Sequence, residues 1–270
     1  MLFVHVTLIL LASGLVNGQY FGSNDGTSAN QVIHFPSIDQ SRRPGQCDGV
    51  VYMKMTPHQR MYVQYEQFAT NVSQLNEIST CFWMMVDNPL RPATMLNYAL
   101  DEEVNTDNIT LQYRGSESLW TLDINGQNVY RSKARRLQAR MWSHFCHSWS
   151  GETGEWSVWQ SGQLVESGIN QQSRGWKIPA GGVLVTGQHQ NTIVNNMGMD
   201  NGEGLEGSVT LMSVSDKHLS TDPTSRRYVD QVSKDCSPRA RGEIADWLNT
   251  PRLGYGGVRS SRAQPVCGNF

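Results

Sequence analysis

Apolar and polar residues alternate over short stretches of this chain, most clearly in the segment 156–165. Trp156 and Val158 are separated by a serine, and a Ser-Gly pair at 161–162 precedes a second partly apolar run. A period of two residues is typical of a half-buried β-strand, and a tight turn between two such runs predicts a β-hairpin. Another strand is predicted just before it, at 144–149, where Cys146 could tie two sheets together through a disulfide.

Similar runs recur through much of the chain. The pair Asn125-Gly126 lies between two of them and is a strong hairpin signal. The remaining predicted strands are 50–53, 61–65, 80–86, 95–99, 109–113, 119–124, 129–130, 182–187 and 205–214.

Residues 216–234 form the one credible helix of the sequence. Leu219, Tyr228 and Val232 could face a sandwich of sheets from this segment. Pro223 suits a first helical turn, because the N–H group that proline lacks has no partner there.

Composition and charge limit the class of protein. The 270 residues include 22 Lys and Arg and 24 Asp and Glu, with a formal net charge of −2. Such a balance provides no basic field of the kind that nucleic acid demands, so nucleic acid is excluded as a partner. Many aromatic, glycine and turn residues, with few helical runs, favour an all-β antiparallel sandwich of two sheets.

Two segments precede the predicted domain. Residues 1–18 contain no Asp, Glu, Lys or Arg and end in small residues, which predicts a signal peptide and a secreted, extracellular protein. The apolar run is shorter than the roughly 20 residues of a membrane-spanning helix, so no membrane span is expected. Residues 19–49 are rich in Gly, Ser, Asn and Gln and are predicted to be a flexible arm, and residues 50–270 form one domain.

Five cysteines in a secreted chain predict disulfides with one cysteine left over. Cys81 and Cys146 lie in strand-like runs, and Cys236 and Cys267 bracket the C-terminal segment. Closing loops of these lengths would contribute about 4 kcal/mol each in the chain-entropy account. Cys47 could pair between subunits or remain a free thiol, and the sequence leaves both alternatives open.

Several motifs in order resemble those of the pentraxin family. The run HFCHSW at 144–149 resembles the family signature H-x-C-x-[ST]-W-x-[ST], from which only Gly151 departs. The stretch 181–190 is similar to the family's glycine-rich strand and calcium loop. The segment 236–267 is similar to the C-terminal segment of long, neuronal-type pentraxins and reproduces their cysteine pair. The resemblance covers about residues 50–270.

This resemblance implies a flattened jelly roll of two antiparallel sheets with one helix on one face. It implies a homo-oligomer, a pentamer or a similar ring. It also implies calcium on the face opposite the helix, and calcium-dependent recognition of anionic or zwitterionic ligands such as phosphate esters and acidic polysaccharides. Members of the family are recognition proteins rather than enzymes.

The resemblance implies a calcium site whose oxygen ligands come from two distant loops. The implied ligands are Asp107, Asn108, Gln190, Asn191, Asp200 and Glu203. Two positions depart from the family pattern: His189 replaces a bridging glutamate, and Asn191 replaces an aspartate. Because Ca²⁺ prefers charged oxygen ligands and imidazole suits softer metals, we expect one weakened calcium ion or none, rather than two tightly bound ions.

The ligand pocket that the resemblance implies is altered as well. Tyr113 matches the family's aromatic wall, whereas Asn128 falls near the position of an acidic residue that meets a choline ammonium. Because an uncharged amide attracts a quaternary cation less than a carboxylate does, an acidic polysaccharide or another anion is as plausible a ligand as phosphocholine.

Two sequons for N-glycosylation begin at Asn71 and Asn108. A glycan on Asn108 would occupy the amide that the family pattern assigns to metal. We therefore assign the glycan to Asn71 and the metal role to Asn108.

Two other classes of function fit parts of the sequence. Asp200, Glu203 and Glu206 could be catalytic carboxylates, but their spacing of three does not share a strand face, and they also fit a solvated acidic loop. In a strand, His147 would face away from His144 and Ser148, so no hydrolase triad is predicted. An adhesive or matrix module of laminin-G type is the stronger alternative, since it shares the sandwich and can use calcium.

Overall fold

The computed structural model describes residues 31–33, 51–56, 63–100, 107–192, 198–199, 202–234 and 244–262. In these ranges the chain forms two large sheets, and every strand pairing within them is antiparallel. The two sheets bury a common apolar core and the chain has one α-helix among its described residues. The predicted all-β sandwich is therefore confirmed.

The first sheet contains the strands that carry the candidate site. In spatial order they are β1 (Gln31–Ile33), β17 (Arg252–Tyr255), β3 (Tyr65–Phe68), β12 (Val183–Thr186), β5 (Ala93–Ala99), β6 (Asp107–Arg114), β7 (Leu119–Ile124) and β8 (Gln127–Lys133). A separate short pair consists of β13 (Gln190–Thr192) and β14 (Gly198–Met199).

The second sheet carries the signature motif and the helix. In spatial order its strands are β11 (Gln163–Ile169), β10 (Glu155–Gln160), β9 (Ser143–Ser150), β4 (Glu77–Val86), β15 (Gly207–Ser215), β2 (Val51–Met55) and β18 (Arg259–Arg262). A short strand, β16 (Ala245–Asp246), also pairs with β15.

Two tight turns connect the predicted hairpins. Asn125 and Gly126 have φ angles of 50° and 71°, and Ser161 and Gly162 have φ angles of 50° and 79°. Two consecutive residues with positive φ suit the right-handed twist of the flanking strands, which explains why these pairs mark the hairpins in the sequence.

A group of aromatic rings lies in the core between the sheets. Trp120 of β7 lies 4.9 Å from Phe145 and 5.9 Å from Phe82, measured between ring centroids, and all three side chains are buried. Such edge-to-face and tilted contacts between large rings stabilise a core beyond the area that they bury.

The helix α1 (Pro223–Val232) is shorter than predicted. Asp222 caps it by accepting hydrogen bonds from the N–H groups of Thr224 and Ser225, and Pro223 lies in its first turn. The prediction that it begins at residue 216 was wrong, because 216–222 is a loop that ends at this cap. Even so, Leu219 in the loop is buried with Val229 of the helix.

This helix covers the outer face of the second sheet. Tyr228 and Val232, as predicted, pack against the apolar cluster beneath it, which includes the Cys81–Cys146 disulfide and Trp159. Among the described residues, no helix has the length and apolar character needed to cross a membrane.

The disulfide lies within one sheet. Cys81 of β4 and Cys146 of β9 are direct partners in adjacent strands, with a Cα–Cα distance of 4.1 Å. The pairing agrees with the predicted use of these cysteines, but the prediction that Cys146 joins two sheets was wrong. The period-two alternation shows which residues share a side of the strand with Cys146. Whether that side faces the other sheet or the helix depends on tertiary packing, which the alternation does not show.

One segment departs from the predicted organisation. Gln31–Ile33 falls within the predicted flexible arm of 19–49, yet it pairs with β17 at the edge of the first sheet. Backbone hydrogen bonds to a free sheet edge need no apolar side chains, so composition alone does not reveal such a strand. The predicted strand 61–65 is likewise displaced, because β3 begins at Tyr65.

Candidate functional site

The candidate site begins at Asp107, the first residue of β6. One carboxylate oxygen of Asp107, Oδ1, accepts a hydrogen bond from Nδ2 of Asn97 at 3.2 Å, and its backbone carbonyl accepts one from the N–H of Gly126 at 2.9 Å. Asn97 is completely buried in the neighbouring strand β5, so Asp107 is held by a fixed partner.

The second part of the site is the segment 187–190, which follows β12. Gln190 donates from Nε2 to Oδ1 of Asn97 at 2.8 Å and to the carbonyl of Val183 at 3.1 Å. Asn97 therefore anchors both Asp107 and the incoming loop. Gln188 is also buried, which fixes the backbone on the other side of His189.

His189 lies between two carboxylates, in an arrangement that we call the His189 site (Asp107, His189 and Glu203). Its Nε2 contacts Oδ2 of Asp107, and its Nδ1 lies 2.8 Å from Oε2 of Glu203. The backbone carbonyl of Glu203 in turn accepts a hydrogen bond from the N–H of Thr94 at 2.9 Å. Both loops are thus tied to β5, and the imidazole closes the space between their carboxylates.

The charges of this site favour a protonated imidazole. Partial burial by itself lowers the pKa of His189, but the hydrogen bonds and negative charges of Asp107 and Glu203 outweigh it and raise the pKa to about 10. The contact with His189 is also the main cause that lowers the pKa of Glu203. At neutral pH the site therefore contains a cation that belongs to the chain itself.

Four of the six implied metal ligands lie at this edge. Besides Asp107 and Glu203, these are Gln190 and Asn108, whose Nδ2 donates to Oδ1 of Asn125 at 3.1 Å. The amide oxygens of Gln190 and Asn108 are buried and make no hydrogen bond within the described part of the chain. Asn191 belongs to β13, but its side chain, like the whole of Asp200, lies outside the described residues.

This arrangement does not fit a calcium ion between Asp107 and Glu203. A bridging ion needs the oxygens of both carboxylates at about 2.3–2.6 Å from itself, but an imidazole ring stands between them. Among the described residues, the one group of three His, Cys, Asp or Glu side chains with ligand atoms within 4.8 Å of one another is Cys81, His144 and Cys146. Its two cysteines are joined in the disulfide.

The structure does not place Tyr113 on a ligand surface. Its side chain is completely buried in the core, 5.4 Å from the ring of Trp120. In β6 the residues 109, 111 and 113 share the inward face, so the aromatic wall implied by the resemblance is not formed by Tyr113. The alternation of Ile109, Leu111 and Tyr113 agrees with this inward position.

Asn128 is exposed, as a ligand-binding residue requires. Its Nδ2 donates to Oδ1 of Asp123 at 2.7 Å. Asn128 lies near the position of the family's acidic residue, and the carboxylate of Asp123 lies next to it. A cationic group that approaches Asn128 would therefore meet the negative charge of Asp123.

The two sequons differ in accessibility. Asn71 is exposed, which suits a glycan, whereas Asn108 is 4% exposed and its amide nitrogen is already hydrogen-bonded. Attachment of a sugar at Asn108 would require this buried side chain to move, so the geometry favours Asn71. Cys47, Cys236 and Cys267 lie outside the described residues.

Two further groupings are not predicted from the sequence. Asn97, the anchor of the His189 site, was part of a predicted strand, and its only signal was a polar residue in an apolar run. Ser148 pairs with His218, whose Nδ1 lies 2.6 Å from the serine Oγ, and Glu155 lies 3.7 Å from the other ring nitrogen. These three residues come from separate elements, so no local spacing could reveal them.

The grouping around Ser148 holds the loop before α1 against the second sheet. The Oγ of Ser148 also accepts the N–H of Leu219 at 2.6 Å, and Ser148 is 1% exposed. Both contacts fasten the loop before α1 to β9. As predicted, His147 faces the other way, into the core beside Phe82.

Comparison with known proteins decides the family. The Pentaxin family profile matches residues 53–253, which is well over half of the chain. The chain belongs to the pentraxin family. The prediction from the signature motif is therefore confirmed, and the departures at Gly151 and His189 occur within a true member.

The similarity of this pentraxin to individual relatives is moderate. It is 28% identical over 186 residues to mouse pentraxin-related protein PTX3, a match that covers 69% of this chain and 46% of the relative. It is 24% identical over 188 residues to C-reactive protein 1.4 of Limulus polyphemus, covering 68% and 74%. The chain thus spans about half the length of the mouse relative.

A solved structure supports the fold. The native heptameric SAP-like pentraxin of Limulus polyphemus aligns with a TM-score of 0.69 at 21% identity, covering 81% of this chain and 97% of that one. The jelly-roll sandwich implied by the signature motif is confirmed.

Proposed function

We propose that this pentraxin is a secreted recognition protein that forms a ring-shaped homo-oligomer. It binds anionic or zwitterionic ligands, either phosphate esters or acidic polysaccharides, at the edge that contains the His189 site. The dependence of binding on calcium, which the resemblance implies, is weakened to one ion or none. The function is recognition and not catalysis.

The observation that carries this proposal is the meeting of two distant loops. Asp107 and Glu203 are separated by almost one hundred residues, yet both contact His189. A polar cluster gathered from separate loops at one sheet edge is the kind of arrangement that fixes a ligand's orientation. Exposed Asn128 and its partner Asp123, beside the hairpin that contacts Asp107, extend the polar surface.

Three features support the remaining parts of the proposal. The Cys81–Cys146 disulfide and the predicted signal peptide suit an oxidising, extracellular environment. The solved Limulus relative is a heptamer, which supports a ring. The buried, doubly hydrogen-bonded Ser148 argues against a serine nucleophile, because no substrate atom could reach its Oγ.

Retention on immobilised ligands tests the proposal. The full secreted protein is applied to phosphocholine, phosphoethanolamine and agarose resins, once with calcium and once with EDTA. We expect retention on at least one resin, and we expect Glu203→Gln to weaken it several-fold. Glu166→Gln, a matched change of an exposed carboxylate on β11, should be retained like the wild type.

Failure of the wild type to bind any resin in either buffer would contradict the proposed function. If the protein is a monomer and binds immobilised matrix proteins instead of these resins, the adhesive module of laminin-G type would be favoured. Because both buffers are used, the same experiment separates ligand binding from its calcium dependence.

A further inference from the structure

The His189 site raises the question of what holds its two carboxylates together. We propose that the imidazole of His189 performs the bridging role of a metal ion, so that this edge keeps its shape without calcium. This inference deepens the proposed function and rests on it only for the use of the edge in recognition.

The first argument is the position of the ring. Nε2 of His189 contacts Oδ2 of Asp107, and Nδ1 on the other side of the ring lies 2.8 Å from Oε2 of Glu203. Carboxylates that share a calcium ion must lie within about 5 Å of each other, since each oxygen is about 2.3–2.6 Å from the ion. An intervening imidazole, with a contact on each side, holds them farther apart and occupies the space that an ion would need.

The second argument is that the surrounding backbone fixes this position. Gln188 and Gln190 flank His189 and are 0% and 2% exposed, and Oε1 of Gln188 accepts the N–H of His189 at 3.1 Å. Gln190 is fastened to Asn97, which also holds Asp107. These contacts fix the backbone at His189, so the imidazole extends toward the two carboxylates from a defined position.

The third argument concerns the partners of the two carboxylates. Each has a nitrogen of the same ring within contact distance, at Oδ2 of Asp107 and at Oε2 of Glu203. Neither carboxylate therefore needs a metal ion as its partner. A ligand at this edge is consequently recognised by protein side chains, and its binding should persist in EDTA.

Calcium titration and thermal unfolding of the full secreted protein test the inference. We expect no heat of calcium binding that depends on this site, and an unfolding midpoint that is the same in EDTA and in millimolar calcium. A wild-type midpoint that rises by several degrees with calcium, or stoichiometric calcium binding that Glu203→Gln abolishes, would overturn it.

Substitutions at His189 test the bridging role directly. His189→Glu places three carboxylates together, so we expect its midpoint in EDTA to fall by roughly 3–8 °C and to recover with calcium. His189→Gln, which carries no charge, should fall similarly and recover less. Glu166→Gln should match the wild type in both buffers. An EDTA midpoint unchanged in both His189 variants would refute the bridging role.

The two proposals fail in different ways. Absence of retention on every resin would remove the recognition function while leaving the midpoint comparison intact. Retention that occurs only with calcium would support the recognition function and refute the bridging role of His189.

Discussion

Two buried histidines make the stability of the fold depend on pH. His144 and His147 are each 2% exposed, and burial is the main cause that lowers the pKa of each to about 3. The Nδ1 of His147 shares a hydrogen bond of 2.7 Å with the hydroxyl of Tyr130, whereas the Nδ1 of His144 has no hydrogen-bond partner among the residues that the structure describes. Both rings are therefore neutral in the folded protein across the physiological range.

Replacing His144 should flatten the loss of stability in acid. The unfolded chain takes up a proton at this residue below its ordinary pKa of 6.5, whereas the folded chain does so only near 3. Stability is thus present above pH 6.5 and lost as the pH falls toward 3. The free energy of unfolding should fall between pH 8 and pH 5 in both proteins. We expect the fall to be smaller in His144→Leu than in the wild type, by on the order of 2 kcal/mol.

Urea unfolding at a series of pH values measures this effect. Above pH 7 the curves of stability against pH for variant and wild type should run parallel, which serves as the internal control. Parallel curves throughout the acid range would show that His144 is not a neutral buried group.

At the residue scale, the sequence predicted which side chains carry the chemistry better than it predicted their surroundings. Asp107 and Glu203 were identified from the family pattern, and the structure brings them to one edge. Tyr113 was misassigned, although the strand period already pointed it inward. The sequence identifies His189 only as a poor ligand for calcium, because its role between Asp107 and Glu203 depends on two carboxylates that are distant in sequence.

At the scale of elements, a buried ion pair joins β3 to β17. Nε of Arg252 lies 3.3 Å from Oε2 of Glu66, and both side chains are completely buried. The guanidinium also lies 3.5 Å from the centroid of the Trp247 ring. Burial raises the pKa of Glu66 to about 7, and Arg252 opposes that shift.

Removing one partner of this ion pair should destabilise the fold more than replacing both partners with apolar residues. Glu66→Gln leaves a buried guanidinium without its carboxylate, and we expect a loss of about 3–5 kcal/mol of unfolding free energy. The double variant Glu66→Leu with Arg252→Met should lose less than that, because apolar groups of similar size need no partner. Chemical denaturation measures all of them, and a double-variant loss larger than that of Glu66→Gln would contradict the argument.

The disulfide fixes β4 against β9 beneath the helix. Its cysteines are 65 residues apart, so in the chain-entropy account the bond contributes about 4 kcal/mol by restricting the unfolded chain. We expect Cys81→Val with Cys146→Val to lose about this amount in non-reducing urea unfolding. A change of the surface carboxylate Glu166→Gln should have no effect, and a double-valine variant as stable as the wild type would contradict the prediction.

The elements themselves were largely predictable because their signals are local. Hairpin turns at 125–126 and 161–162 and the alternation in β6 all depend on neighbouring residues. The start of α1 was not, because Leu219 is apolar and at helical spacing although it packs from a loop. The edge strand Gln31–Ile33 was missed, since its pairing with β17 depends on residues more than two hundred positions away.

At the scale of the whole molecule, the His189 site and the helix belong to different sheets. The site is anchored on β5 and β6 of the first sheet, while α1 covers the outer face of the second. This division leaves the polar edge free of the helix, as the resemblance implies for the family. It also means that a change at the His189 site should leave the packing around the disulfide and α1 unaffected.

This separation leads to an expectation for the assembled protein. If His189 holds the recognition edge, calcium is not needed to keep any subunit in its folded shape. Native mass measurement of the secreted protein should therefore give the same ring-sized multiple of the subunit mass in calcium and in EDTA. Addition of a reductant should preserve that mass, unless disulfides such as one from Cys47 hold the subunits together. A monomer in both buffers would contradict the ring, and a ring that dissociates in EDTA would show that calcium holds it.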